Sequence, residues 1–356
     1  MDKLNKDELF LIAIEIDLPH LLNFCSSNKR INELICKRND IWLAKINKDY
    51  LQYQKEFEND ISFLKKIPKD KYWFLLLSKL KHDLEYLGTI SELFKLRFLD
   101  LQAEDLKEIP KEIGTLINLE KLDMGYNRIR KIPKEIGNLI NLQELDIRSN
   151  NGGKFPKEIG KLINLQILNL GGNNLENISK EMIENLTNLR MLNLSSNLLK
   201  EIPKEIKNMK KLQELNLTHN KIKEIPIDLF DNLKDLLYFS LTQNELKEIP
   251  KDIFKYPTKL LELYLSHNEL KEIPKEIFKY LRELKNLYLN YNQITKIPKE
   301  IGYLINLQSL GLAHNNISEI PKEIENIPFQ AGYIHLEDNP ITLDQLPQKI
   351  RDITFL

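Results

Sequence analysis

The sequence predicts an α/β solenoid, a stack of short parallel strands with turns or short helices on the opposite side, preceded by a small all-α domain. Three observations predict it. Leucine returns at 96, 119, 142, 165, 189, 212, 236, 260, 284 and 307, at intervals of 23 or 24 residues, and each opens the frame L-x-x-L-x-L-x-x-N or a variant of it. Proline recurs about once per period on the far side of that frame. The first ninety or so residues lack the period altogether. A fixed repeat of this length decides the architecture before any local reading, because each unit buries its apolar face only against its neighbours.

In chain order, the aperiodic segment comes first. Apolar spacing at Leu18, Leu21, Leu22 and Cys25, and again at Ile31, Leu34 and Ile35, predicts short helices, with Asp17 as an N-cap and Pro19 in the first turn. DIWLAKI, with Trp42, adds a third. The apolar stretch Tyr72 to Leu87 predicts a helix that covers the open edge of the first coil. The expected divisions are a helical domain over 1–50, a helical linker and cap over 51–90, ten repeat units over 91–330, and a degenerate last repeat with a C-terminal cap over 331–356.

Within a unit, the x-L-x-L-x stretch alternates with period two, as a strand must when one face is buried and the other solvated. Asparagine follows at 127, 150, 173, 197, 220, 244, 268, 292, 315 and 339, where the chain turns inward and leaves backbone polar groups needing partners. An amide supplies donors and an acceptor together, so a column of them can tie each turn to its neighbour. Replacing one by leucine is expected to cost about 1–3 kcal/mol. Glu104 stands at that place in the first unit, as suits an end repeat. Proline at 110, 133, 156, 203, 226, 250, 274, 298 and 321, with Ser179 the exception, fixes φ and removes a donor, so the return segment is turn, polyproline or first-turn-of-helix backbone. The Lys-Glu pairs around it read as a solvated face.

This 23- to 24-residue unit, with words such as IPKEIGTLINL (109–119) and IPKEIGYLINL (297–307), resembles the leucine-rich repeat of the Ile-Pro-x-x-Ile type over about residues 91–343. The resemblance implies a horseshoe with a parallel concave sheet, a short helical or turn-rich convex side, and recognition of a protein target on the concave face. Residues 8–46 resemble an F-box, the helical module that docks substrate receptors on a Skp-type adaptor of cullin ubiquitin ligases. The matching residues are Asp17-Leu18, Leu21-Leu22, Cys25 to Arg30, and Asp40-Ile41-Trp42. That resemblance implies adaptor docking through Leu18, Leu21, Leu22 and Trp42 and an F-box-type substrate receptor. The family's opening Leu-Pro is not found before Glu8, and Ile31 stands where the family has tryptophan. A scaffold or regulator of signalling enzymes such as small GTPases or phosphatases, with the helices only a cap, is the alternative.

Composition bounds the function. Lysine plus arginine total 52 and aspartate plus glutamate 52, so the formal net charge is zero and no chain-wide positive field draws in nucleic acid or an anionic membrane. Two cysteines, Cys25 and Cys36, fit a reducing, cytoplasmic setting rather than a disulfide-stapled fold. Leu9 to Ile16 is apolar but short and broken by Glu15, unlike a secretory leader. No apolar run approaches the roughly 20 residues of a membrane span.

The strand positions that packing does not dictate are where binding is expected. An acidic strip, Asp100, Asp123 and Asp146, with Tyr126 and Arg148 beside it, passes through Asn169, Asn193 and Asn216 into an aromatic patch of Tyr238, Tyr264, Tyr288 and Tyr291. With strands about 4.8 Å apart, ten coils give a surface on the order of 50 Å long, suited to a protein or extended peptide and too open for a small substrate. His219, His267, His314 and His335 lie on or beside it, and the first two are two coils apart, too far to share one zinc ion. They are expected to be polar filler before the ladder asparagines. Gly152-Gly153 lacks the residues of a phosphate loop, and no zinc-ligand spacing occurs. A non-catalytic protein without cofactor or metal is expected.

Overall fold

The computed structural model describes residues 80, 83–85, 87, 90–328 and 334–355. The F-box-like segment with Leu18, Leu21, Leu22 and Trp42, and most of the expected linker, lie outside the described residues.

The chain falls into two compact units. One comprises residues 1–97, 110–119 and 133–139. Its described part holds helix α1, Ile90–Lys95, and two single-turn 3₁₀ helices, Lys111–Thr115 and Lys134–Asn138. Gly114 allows those two turns to approach: a Cβ there would stand 2.5 Å from the Glu135 carbonyl oxygen.

The other unit comprises residues 98–109, 120–132 and 140–356 and carries the sheet. Its strands are β1 Phe98–Asp100, β2 Lys121–Asp123, β3 Glu144–Asp146, β4 Ile167–Asn169, β5 Met191–Asn193, β6 Glu214–Asn216, β7 Tyr238–Ser240, β8 Glu262–Tyr264, β9 Asn286–Tyr288, β10 Ser309–Gly311, β11 Ile334–His335 and β12 Thr354–Phe355. They pair in sequence order as one twelve-stranded sheet. Every pairing is parallel, and the register sets each central residue on its equivalent in the next unit, as in Leu99↔Leu122 and Leu192↔Leu215. That is the solenoid expected from the period, with β12 added behind the degenerate unit.

The alternation is visible in burial. Leu122, Leu145, Leu168 and Leu215 are wholly buried, each worth about 1.5–3 kcal/mol relative to exposure, while the residues on either side reach the other face. The 24-residue units solve the return segment differently from the 23-residue ones. In the shorter units 142–165 and 284–307 a glycine lets the next return segment pass, a Cβ on Gly160 lying 2.1 Å from the Glu181 carbonyl oxygen and one on Gly302 2.5 Å from that of Glu323, whereas Lys207 stands at that place in 189–212. In longer units Phe230, Phe254 and Phe278 fill the same column and are among the largest fully buried side chains, with Phe230 packed edge-on to Phe239 at 4.9 Å and stacked on Phe254 at 5.4 Å. Proline stands just outside the single-turn 3₁₀ helices and starts them through its carbonyl, except before Leu343–Gln345, where Thr342 takes that place. Pro156 has φ −70° and ψ 137°, and its oxygen accepts the Ile159 N–H at 3.2 Å. Ser179 adopts the same backbone, φ −67° and ψ 144°, before helix α2, Lys180–Ile183. Helix α3, Glu276–Tyr280, is the other α-helical return segment of this unit.

All ten predicted ladder asparagines bond to the preceding coil. The Asn127 amide donates to the Leu101 carbonyl at 2.7 Å while its oxygen accepts the Leu106 N–H at 2.9 Å. The same two bonds recur at Asn150, Asn173, Asn197, Asn220, Asn244, Asn268, Asn292, Asn315 and Asn339. The residue before each asparagine turns the chain inward through left-handed backbone: Tyr126, Ser149, Gly172, Ser196, His219, Gln243, His267, Tyr291, His314 and Asp338 have φ between 52° and 66°. Only one is glycine, so nine side chains accept a strained conformation, held by bonds such as Tyr126 N–H to the Arg148 carbonyl at 2.9 Å.

Candidate recognition surface

The outward residues of the strands, and the two or three that follow each strand, form columns across the sheet. One column begins with Asp100, Asp123 and Asp146. Each accepts, on one carboxylate oxygen, the backbone N–H two residues on at 2.9 Å. Asn169, Asn193 and Asn216 do the same at 3.2, 2.9 and 3.0 Å. A short side chain with an acceptor is therefore used here to close the turn into the left-handed residue. That local role of the acidic strip was not visible in the charge pattern.

Two pairs of opposite charge lie in this N-terminal zone. Lys121 pairs with Glu144 at 2.8 Å, a contact that raises its amino group above the ordinary lysine range. Arg148 lies 3.4 Å from Asp146 and places its guanidinium 5.1 Å from the centre of the Tyr126 ring. Asp146 is buried, and that burial pushes its carboxyl above the usual aspartate range although Arg148 and the Asn169 amide, 2.9 Å away, oppose the shift. Lys121 also stands 5.4 Å from the Phe98 ring. Predicted residues Asp100, Asp123, Tyr126, Asp146 and Arg148 thus come together over β1–β3.

The four predicted tyrosines divide between two rows farther along. In the first, Tyr238, Tyr264 and Tyr288 follow one another at 5.2 Å between ring centres, the second pair within 7° of parallel. Tyr264 donates its hydroxyl to Glu262 at 2.5 Å, and Tyr288 shares a hydrogen bond with Ser309 at 2.8 Å. Burial raises the hydroxyl of Tyr238, and burial with the Glu262 contact raises that of Tyr264 further. Gly311 makes room for this row: a Cβ would meet Tyr288 Cδ1 at 2.6 Å and the Asn290 amide at 2.5 Å.

Tyr291 belongs to the second row, in the left-handed column. His267 and His314 stack on its two sides at 4.1 and 3.9 Å, within 10° and 17° of parallel, and His314 Nδ1 lies 3.0 Å from Asp338. These histidines are therefore ring partners of Tyr291 rather than the polar filler expected from sequence. Their spacing of one repeat on either side of Tyr291 was the signal that could have found the stack. Between the rows run Ser266, Asn290 and Ala313, with the Ser266 hydroxyl accepting the Asn290 N–H at 3.2 Å and the Asn290 side-chain oxygen accepting the Ala313 N–H at 2.9 Å. The aromatic rows and the acidic zone are separated by β4–β6, so about 19 Å lies between β3 and β7.

Among the described residues no three histidine, cysteine, aspartate or glutamate side chains are grouped to hold a metal ion, and no helix is long and apolar enough to cross a membrane.

Comparison with known proteins matches this architecture. A family model described as a leucine-rich repeat region fits residues 74–181, and one described as a leucine rich repeat fits 163–222, 210–270 and 258–317. No curated protein sequence matches. Among solved structures, a leucine-rich repeat protein of Leptospira interrogans is 33% identical over 71% of this chain and 76% of its own, with a TM-score of 0.51. A plant peptide hormone receptor, solved in complex with a partner named RGF2, is 31% identical over 65% of this chain, has a TM-score of 0.57, and is spanned over only 40% of its own length. An internalin of Listeria monocytogenes shares the fold at 24% identity, over 75% of this chain and 89% of its own, with a TM-score of 0.57. With its repeats matched by these models and its strands in the corresponding parallel register, the chain belongs to the leucine-rich repeat family.

Proposed function

We propose that the chain is a non-catalytic recognition protein that holds a protein target on the outward face of its sheet. The two aromatic rows carry this reading. Packing of the units requires the inward leucines and the ladder asparagines, whereas Tyr238, Tyr264, Tyr288 and Tyr291 stand on the opposite face, and Tyr291 remains 46% exposed. Tyrosine supplies apolar area and a hydroxyl together, which suits an interface anchor. Asp100, Asp123, Tyr126, Asp146 and Arg148 form the second part of the proposed contact. The related plant receptor in complex with its partner supports a peptide or protein as the class of ligand.

In the finer reading, the N-terminal segment docks a Skp-type adaptor through Leu18, Leu21, Leu22 and Trp42, making the chain an F-box-type substrate receptor in the cytoplasm. Its support is the residue pattern of 8–46 and the two cysteines of the sequence. Affinity capture from cells with the full chain and with Tyr264→Ala/Tyr291→Ala tests the first claim: a target held equally by both refutes recognition by this face. Adaptor pull-down with the full chain and with Leu21→Ala/Leu22→Ala/Trp42→Ala tests the second. Target capture without adaptor capture by the folded wild type selects the scaffold role for small GTPases or phosphatases instead.

A further inference from the structure

We infer that the aromatic half of the sheet face recognises an extended, basic peptide segment of a partner protein, one that carries lysine or arginine. The inference deepens the sheet-face reading and rests on it.

The two halves of the face use the same columns with opposite outcomes. In the N-terminal half the chain supplies its own cations: Arg148 stands over Tyr126 and beside Asp146, and Lys121 stands over Phe98 and beside Glu144, at the distances given above. Tyr291 occupies the column of Tyr126, and Glu262 and Tyr238 that of Lys121 and Glu144. Yet the outward segments 214–219, 238–243, 262–267, 286–291, 309–314 and 334–338 contain Glu214, Glu262, Glu337 and Asp338 and no lysine or arginine. Glu144 and Asp146 meet Lys121 and Arg148 at one end, whereas at the other Glu262 accepts the Tyr264 hydroxyl and Glu337 and Asp338 lie 3.2 and 3.0 Å from His335 and His314, so within these segments no permanently charged cation answers the carboxylates. A guanidinium or ammonium group supplies that charge by salt pairing, and it reaches a ring face at the row ends, Tyr238 and Tyr288, because Tyr264 and Tyr291 each have a ring on both sides.

Geometry makes that partner extended. From β7 to β10 the rows cross three strand spacings, about 14 Å, the length of about four extended residues. Tyr264 and His267 lie three residues apart along one coil, so the rows stand roughly 7–10 Å apart, which admits a single chain between them. The floor side chains Ser266 and Asn290 are already bonded to neighbouring backbone. Selectivity therefore falls to the walls and their carboxylates.

Random peptides of about twelve residues displayed on phage and selected against the full chain, then resynthesised with a fluorescent label and titrated by anisotropy, test the inference. Enriched peptides carrying two or more lysines or arginines are expected, with affinity falling about tenfold or more in Glu214→Gln/Glu262→Gln and in Tyr291→Ser, and falling with salt. Lys299→Ala, on the return side, leaves it unchanged. Ser149 and Ser196 hold the same left-handed position as Tyr291, so Tyr291→Ser keeps a tolerated backbone. Enrichment of neutral or acidic peptides that still lose binding in Tyr291→Ser overturns the basic-peptide inference and leaves sheet-face recognition standing. No enrichment, or basic peptides indifferent to every sheet-face variant, also overturns it, and sheet-face recognition then stands or falls on the target capture described above.

Discussion

Asn220→Ala tests the ladder directly. Asn220 accepts the Leu199 N–H at 3.0 Å and donates to the Leu194, Leu217 and Thr218 carbonyls at 3.0, 3.1 and 3.4 Å. The three carbonyls keep other donors: Asn197 on Leu194 at 3.1 Å, Asn244 on Leu217 at 2.9 Å and the Ser196 N–H on Thr218 at 2.7 Å. Losing those contacts costs about 1 kcal/mol, whereas the Leu199 N–H is left buried with no acceptor, which costs about 1–3 kcal/mol. The expected total is roughly 2–4 kcal/mol by urea denaturation followed by circular dichroism. Hydrogen exchange at Leu199 should accelerate while that at Leu246, which bonds Asn268 at 3.0 Å, keeps its protection. Asn164→Ala is the control, because Asn164 is exposed and only donates to the Ile140 carbonyl at 2.8 Å. If Asn220→Ala costs no more than Asn164→Ala, or Leu199 exchange does not change, the ladder is not what joins the coils.

Two further outcomes follow from the same packing. Gly160→Ala drives a Cβ into the Glu181 backbone oxygen, whereas Gly311→Ala meets mainly side chains, so thermal unfolding should show the larger loss for Gly160→Ala, each on the order of 1–3 kcal/mol. The Asp146 carboxyl is raised by burial, so the folded state holds its proton more tightly than the unfolded chain does. The stability it contributes is largest below the ordinary aspartate range and is lost as pH rises through the raised value. Asp146→Asn removes that loss, so the variant should gain on the wild type between acidic and neutral pH, and a difference flat with pH in denaturation curves would refute it.

The strand columns, the register and the ladder were legible because all three are periodic and apolar burial enforces the period. What escaped was the work of residues whose partners lie one unit away. His267, Tyr291 and His314 look like isolated polar positions until the coils stack them. Asp100, Asp123 and Asp146 look like a charged strip, yet each first closes its own turn. The left-handed backbone before every asparagine left no glycine signal except Gly172, because bonds from the next coil hold the other residues there. The exchange of Gly160 for Phe254 and Phe278 in one column became intelligible only when the return segments were seen to differ in bulk.

Each ladder asparagine reaches no farther than the coil before it, so loss or duplication of one whole period would rejoin equivalent atoms. Excising the period containing β6, for example, would set Leu192 beside Phe239 in place of Leu215. Such a change shortens the platform without unravelling it. Between β7 and β10 the same excision deletes one ring of the Tyr264–Tyr288 stack and one of the His267–Tyr291 stack. Recombination can therefore tune the reach of this molecule through its plain units, while the ring-bearing units are inherited together or their surface is lost.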